Sequence, residues 1–205
     1  MTGYEVAKET GISRSNVYTN LASLVEKGAA HLIEEKAKKY TPVPIDDFCN
    51  NKIRQMKELK VKLIENMPKR QAEDNGYITV QGKINILDKI KNMISQAKER
   101  IYISISNETM ETILPYLQEA ISKGLKVVII SERPFKLEGA VIYYAKREEY
   151  QIRLIVDSTK VLTGEIIDEK NSTCLYSRKQ NLVNLFKESL KNEIKLIELT
   201  NREDD

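Results

Sequence analysis

Apolar residues recur at helical spacing through the first third of the chain and gather into short branched runs after it. Val6 and Ala7 give a short helix over Thr2–Glu9 something to pack with. Thr10-Gly11-Ile12-Ser13 follows. It supplies a glycine able to end a helix in the left-handed conformation, an apolar residue to pin two helices, and an N-cap for the next one. Val17, Leu21, Leu24 and Val25 fall at i, i+4, i+7 and i+8, one buried stripe of a helix from about Arg14 to Lys27, stopped by Gly28. Ala30–Glu35 and Lys36–Val43 read as a β-hairpin with lysines at its tip and on its second strand. From Ile45 to about Met67, between Pro44 and Pro68, Met56, Leu59 and Leu63 mark a longer helix, with Phe48 and Ile53 nearby and Asp46-Asp47 at its positive end. Residues 68–76 are polar and read as a linker.

Beyond the linker, helix and strand alternate. Tyr77–Val80 is a short strand, and Ile84 to Ala97 an amphipathic helix. Ile101–Ser106 and Lys126–Ser131 are strands flanking a helix from Met110 to Lys123, stopped by Gly124. A helix between two buried strands predicts a right-handed crossover and a parallel pair. Further strands are expected near Ile152–Val156, Val161–Ile167 and Thr173–Tyr176, then a last helix from Leu182 to Leu190 or onward through Ile197. Tyr143 and Tyr144 could line a pocket, and read more plainly as tyrosines of a half-buried helix. The whole is a mixed α/β chain whose second part is an α/β domain with about five strands.

Composition narrows the classes. The 205 residues are 41% hydrophobic and 31% charged, an ordinary soluble globular balance. No apolar run approaches the roughly 20 residues that span a bilayer, and no leader pattern opens the chain, so the expected setting is the cytoplasm, with no membrane. Cys49 and Cys174 are expected to be buried thiols. His31 is the one histidine, which removes His-pair metal sites; no metal and no cofactor is expected. The net charge is only +3, but residues 1–70 hold thirteen Lys and Arg against nine Asp and Glu, and the remainder twenty against twenty-one. The basic excess sits in the first third, where clustered positive charge favours phosphate.

Helix, glycine turn, capped helix and basic hairpin in that order make a winged helix-turn-helix. Arg14, Ser15, Asn16, Tyr18 and Thr19 give the second helix a polar face with little charge before Glu26, suited to base edges and phosphate oxygens. Lys36, Lys38 and Lys39 on the hairpin would touch the backbone beside it. The expected partner is double-stranded DNA, read as a palindromic operator by a homodimer joined through Met56, Leu59 and Leu63. In the α/β part, Ser104, Ser106, Asn107, Ser131, Arg133, Asp157 and Glu165 lie near strand ends, where open α/β sheets bind ligands.

The first 48 residues resemble the TrmB-type transcriptional regulators. The matching text is Ala7-Lys8-Glu9-Thr10-Gly11-Ile12-Ser13-Arg14-Ser15-Asn16-Val17-Tyr18, then Leu21, Leu24, Glu26-Lys27-Gly28, and Lys39-Tyr40-Thr41-Pro42-Val43-Pro44. The resemblance implies a DNA-reading winged helix over residues 1–44, a dimerising helix and linker over 45–76, and a phospholipase D-like α/β sandwich over 77–205 that takes a sugar or other small-molecule effector. The family usually has a helix ahead of the segment that starts here at Met1; without it, Val6 and Val17 are expected to be less covered. The phospholipase D signature is His-x-Lys-x4-Asp-x6-Gly. Asp157 and Gly164 keep its spacing, but Tyr150 and Ile152 stand where His and Lys would be, and Glu165 replaces a small residue. The pair reads either as a scaffold that has lost its nucleophile and phosphate clamp or as a turn acid and a strand glycine. The expected function is a DNA-binding regulator that is not an enzyme. A phospholipase D-like phosphodiesterase and a winged-helix protein-contact module are the alternatives.

Overall fold

The computed structural model describes residues 1–34, 37–68, 76–145 and 150–203. It divides into two units, Met1–Gln71 and Ala72–Asp205.

In the first unit, α1 (Gly3–Thr10) opens on Thr2, whose hydroxyl accepts from the Glu5 amide while the Glu5 carboxylate accepts from the Thr2 amide. This reciprocal cap satisfies two helix-end donors at once. Gly11 ends α1 at φ 72, as its position in the turn requires. Ser13 caps α2 (Arg14–Glu26) by accepting from the Asn16 amide. β1 (Ala30–Glu34) and β2 (Lys38–Pro42) form an antiparallel hairpin. Ala7, Val17 and Leu21 make the core, with Val6 and Tyr40 packed on it. Val17 is 2% exposed, so it is fully covered, contrary to expectation; the chain start helps close the unit through mutual backbone bonds between Met1 and Tyr40. Two other expectations fail. Ile12 is 44% exposed and lies outside the core, and of the α2 stripe only Val17 and Leu21 are buried, with Val25 half-buried and Leu24 exposed. α3 (Ile45–Asn66) buries none of its residues within the unit. Cys49 lies on it and is exposed, not buried.

The second unit is a seven-stranded mixed sheet with helices on both faces. Its elements are β3 (Tyr77–Gln81), α4 (Lys83–Ser95), β4 (Arg100–Ser104), α5 (Asn107–Ser122), β5 (Lys126–Ser131), β6 (Val141–Tyr144), β7 (Gln151–Val156), β8 (Lys160–Glu165), β9 (Thr173–Ser177) and α6 (Gln180–Glu203). The strand order is β3-β9-β8-β7-β4-β5-β6. β4, β5 and β6 run parallel, as a helical crossover between β4 and β5 demands, and the other pairings are antiparallel. Branched residues alternate sides. Ile101, Ile103, Val127, Ile129, Ile152 and Leu154 pack with α4 and α5. Ile130, Ile155 and Val161 pack with Val183, Leu190 and Ile197 of α6. Arg153 on β7 and Glu193 on α6 form a half-buried ion pair at 3.0 Å. The sheet has more strands than the expected five. Tyr143 and Tyr144 belong to β6 rather than a helix, because the run Val141–Tyr144 adds to the branched edge of β5. Cys174 is buried, and burial pushes its thiol up to about 12, against a smaller lowering by the Glu165 backbone.

Candidate nucleic-acid interface

At roughly 100° per residue, the buried Val17 and Leu21 fix the orientation of α2. Ser15, Asn16, Thr19 and Ser23 then fall on the side away from the core, and the first three are exposed. Thr19 donates to the Ser15 carbonyl at 3.0 Å, which leaves its oxygen lone pairs pointing outward as acceptors. Arg14 and Tyr18 fall on the flank toward α1. The Arg14 guanidinium lies 4.4 Å over the Tyr4 ring, and the Tyr18 ring is pressed on Gly3, where a Cβ would come within 2.6 Å of it. Those two side chains therefore brace the helix pair as well as edging its polar face. Lys38 and Lys39 are exposed on β2, and the β1 positions paired with them are Glu34 and Ile33. Lys36 lies outside the described residues.

α3 presents Ile53, Met56, Leu59, Leu63 and Ile64 along one shallow apolar groove, edged by Lys57 and Lys60. Met56 is 67% exposed and Leu63 54%. Ile64 belongs to this face but was not singled out by 3–4 counting from Met56, because it follows Leu63 directly; the wider stripe of a paired helix would have included it.

In the second unit the strand-end residues separate. Ser104 and Ser131 close the parallel β4 and β5 at the same end of the sheet, with Ser106 just before α5, Asn107 opening it, and Arg133 just past β5. Glu165 ends β8 at that same end, opposite Gln151. Ser104 and Ser131 are buried, and Ser131 donates to the Arg133 carbonyl at 2.9 Å. Asp157 lies at the opposite end, since Val156 pairs with Ile101 at the start of β4. Its carboxylate accepts from the Lys98, Glu99 and Arg100 amides at 2.8–3.2 Å. Burial alone would raise its pKa, but those amides, with Lys160 adding to them, hold it below the ordinary carboxylate range. Asp157 and Ser158 have φ 50 and 53, and Thr159 donates to the Val156 carbonyl: a tight hairpin turn between β7 and β8. Gly164 lets β9 approach; a Cβ there would strike the Thr173 carbonyl and come within 2.6 Å of the Cys174 Cα. The Asp157–Gly164 spacing thus has a structural account in both members. Ile152 is fully buried and Tyr150 is exposed, and neither supplies the imidazole or the ammonium of that signature. Among the described residues no group of His, Cys, Asp and Glu is placed to hold a metal ion.

Also at the Asp157 end, a cleft of about 480 Å³ opens between α6 and the first residues of β4, β5 and β6. Arg100, Lys126, Lys187, Lys191 and Lys195 line it. The sequence carried a signal for it: lysines at i, i+4 and i+8 of the last helix, on one face.

A short helix, a glycine turn, a second helix with an outward polar face, and a basic hairpin define a winged helix-turn-helix regulator joined to a separate α/β domain. Residues 1–46 match the family described as "Sugar-specific transcriptional regulator TrmB", and residues 76–194 match "Transcriptional regulator TrmB, EBD N-terminal subdomain". The chain belongs to the TrmB family and is a DNA-binding transcriptional regulator. It is 28% identical over 210 residues to "Uncharacterized protein YrhO" of Bacillus subtilis, covering 97% of this chain and 76% of that protein. It is 29% identical over 131 residues to "HTH-type sugar sensing transcriptional regulator TrmBL1" of Pyrococcus furiosus, covering 62% of this chain and 37% of that protein. Among solved structures, TrmBL2, described as an archaeal chromatin protein, matches at 21% identity over 95% of this chain and 86% of its own, with a TM-score of 0.48. Nuc, a phospholipase D family member from Salmonella typhimurium, matches at 17% identity over 57% and 92%, with a TM-score of 0.44. Among the described residues no helix is long and apolar enough to cross a membrane.

Proposed function

We propose that the chain acts in the cytoplasm as a homodimer that reads a two-fold operator, with α2 in the major groove and β2 on the adjacent backbone. The observation that carries this is the outward face of α2: Ser15, Asn16, Thr19 and Ser23 offer donors and acceptors with no carboxylate before Glu26. Asn16 and Thr19 would contact base edges, with Ser15, Arg14 and Tyr18 at the margin, and Lys36, Lys38 and Lys39 would meet phosphates. Replacing Asn16 with Ala should weaken binding to a selected operator about tenfold and relax sequence preference, as expected for loss of one bonded base contact. Lys38→Gln should weaken binding to all sequences alike and lower the salt slope by about one. Unchanged affinity and slope in both variants would remove this reading and favour a protein-contact role.

The groove on α3 supports pairing of two copies, since Met56, Leu59 and Leu63 are each half or more exposed among the described residues. Leu63→Glu should convert a species of about twice 23.6 kDa into one of 23.6 kDa in sedimentation, with the circular dichroism of the folded chain retained. A mass unaltered by that change would place the dimer contact elsewhere. The second unit is the proposed home of a sugar-like or other small-molecule effector, in keeping with the family description and the name of the Pyrococcus relative. Regulation requires that the effector alter operator affinity and that operator DNA alter effector affinity by the same factor. No phosphodiesterase step is proposed, because neither a His nor a Lys stands at Tyr150 or Ile152.

A further inference from the structure

The single helix α6 faces a seven-stranded sheet and leaves the cleft at the starts of β4, β5 and β6 open. The sheet register sets Arg100 beside Lys126. Across from them, Lys187, Lys191 and Lys195 line the same cleft at four-residue intervals along α6. Like charges at that spacing repel and weaken the helix. Glu188 is the carboxylate lining the cleft with them. Arg100 is paired with Glu99 at 3.3 Å, but among the described residues no carboxylate lies within 4 Å of any of these four lysines. The wall between the cations is apolar and aromatic, supplied by Tyr102, Val128, Leu190 and Ile194. A volume near 480 Å³ suits a small molecule and is too small to take a duplex inside it.

We propose that this cleft binds a small phosphate-bearing metabolite. The phosphate sits against Lys187, Lys191 and Lys195, and the carbon skeleton or ring lies on Tyr102 and Ile194. Lysine is a point-charge phosphate ligand, and a dianion relieves the repulsion that the bare lysine file carries. The proposal deepens the effector reading above and rests on it for biological role: it gives the ligand a charge and puts it at the end of the sheet away from Ser104 and Ser131.

Calorimetric titration of the full chain without DNA tests it, with AMP and glucose 6-phosphate as probes and adenosine and glucose as their neutral counterparts. At least one phosphate should bind with Kd of about 1 mM or tighter, and its neutral counterpart at least about tenfold more weakly. Lys191→Gln should weaken that binding about tenfold with no loss of thermal stability, while Lys123→Gln, at the C-cap of α5, should leave it unchanged. Failure of both phosphates up to about 10 mM, or equal binding of glucose, overturns the proposal. So does duplex DNA binding that survives Lys38→Gln and is lost only when Lys191→Gln is added, since the lysines would then serve a nucleic-acid backbone. Regulation is read separately: a phosphate that binds in calorimetry yet leaves operator affinity unmoved ends the effector reading and leaves the cleft assignment standing.

Discussion

Replacing Gly164 with Ala should destabilise the second unit by about 4 kcal/mol, near the upper end for a single methyl addition. Two causes act together. Gly164 has φ 153, outside the range that side chains readily adopt, and its added Cβ would collide with the Thr173 carbonyl and the Cys174 Cα. Those atoms belong to the backbone of β9, paired in register with β8, so they cannot turn away as a flexible side chain would. Gly124→Ala is the matched control. Gly124 has φ 80 but nothing within 4 Å of the built Cβ, so only the conformational cost of about 1 kcal/mol applies. Urea unfolding followed by circular dichroism reads both. Equal losses in the two variants would show that β8 and β9 part easily, against the close approach described.

Asp157→Ala should cost about 3 kcal/mol at neutral pH. The substitution removes an ionised acceptor from the amides of Lys98, Glu99 and Arg100, at about 1.5–3 kcal/mol for bonds to a charged group, and adds the strain of a plain side chain at φ 50. Asp157→Asn should cost less, because Asn keeps one acceptor oxygen and tolerates the left-handed turn. The pH dependence has a definite sign. The folded carboxyl is held below its ordinary value, so its contribution is complete above the unfolded-state pKa and fades as pH falls through the folded one. The gap in stability between the wild-type chain and Asp157→Asn should therefore be constant from neutral pH down to about 5 and close in stronger acid. A gap that widens in acid would mean that the amides do not hold the charged form.

The helical first third was readable because its signals are local. Gly11 and Ser13 lie within a few residues of the ends they shape, and Val17 and Leu21 repeat on one face. The parallel pairing of β4 and β5 followed from the helix between them. Stripe counting on α2 went too far at Leu24, since it assumes a neighbour for every apolar residue. The strand β6 is not legible in the sequence because Val141–Tyr144 is four residues long, and its strand character depends on β5 beside it. Asp157, Ser104 and Ser131 all sit near strand ends in the sequence. Which end of the sheet each occupies depends on whether its strand runs with or against β4, and no residue near Asp157 encodes that. The cleft needed the same knowledge, since Arg100 and Lys187 are far apart in the chain and meet only across the α6 face.

The edge strand β3 has one partner, β9, whose residues are made nearly a hundred positions later. During synthesis the earliest strand of this unit must wait, unpaired, until Thr173–Ser177 has left the ribosome. Pairings of such long sequence separation are slow to close, because the loop entropy is lost before the ladder forms. The last-made strand thus completes the sheet in two directions at once, joining β8 and capturing β3. A nascent chain stopped short of residue 173 would expose the backbone edges of both.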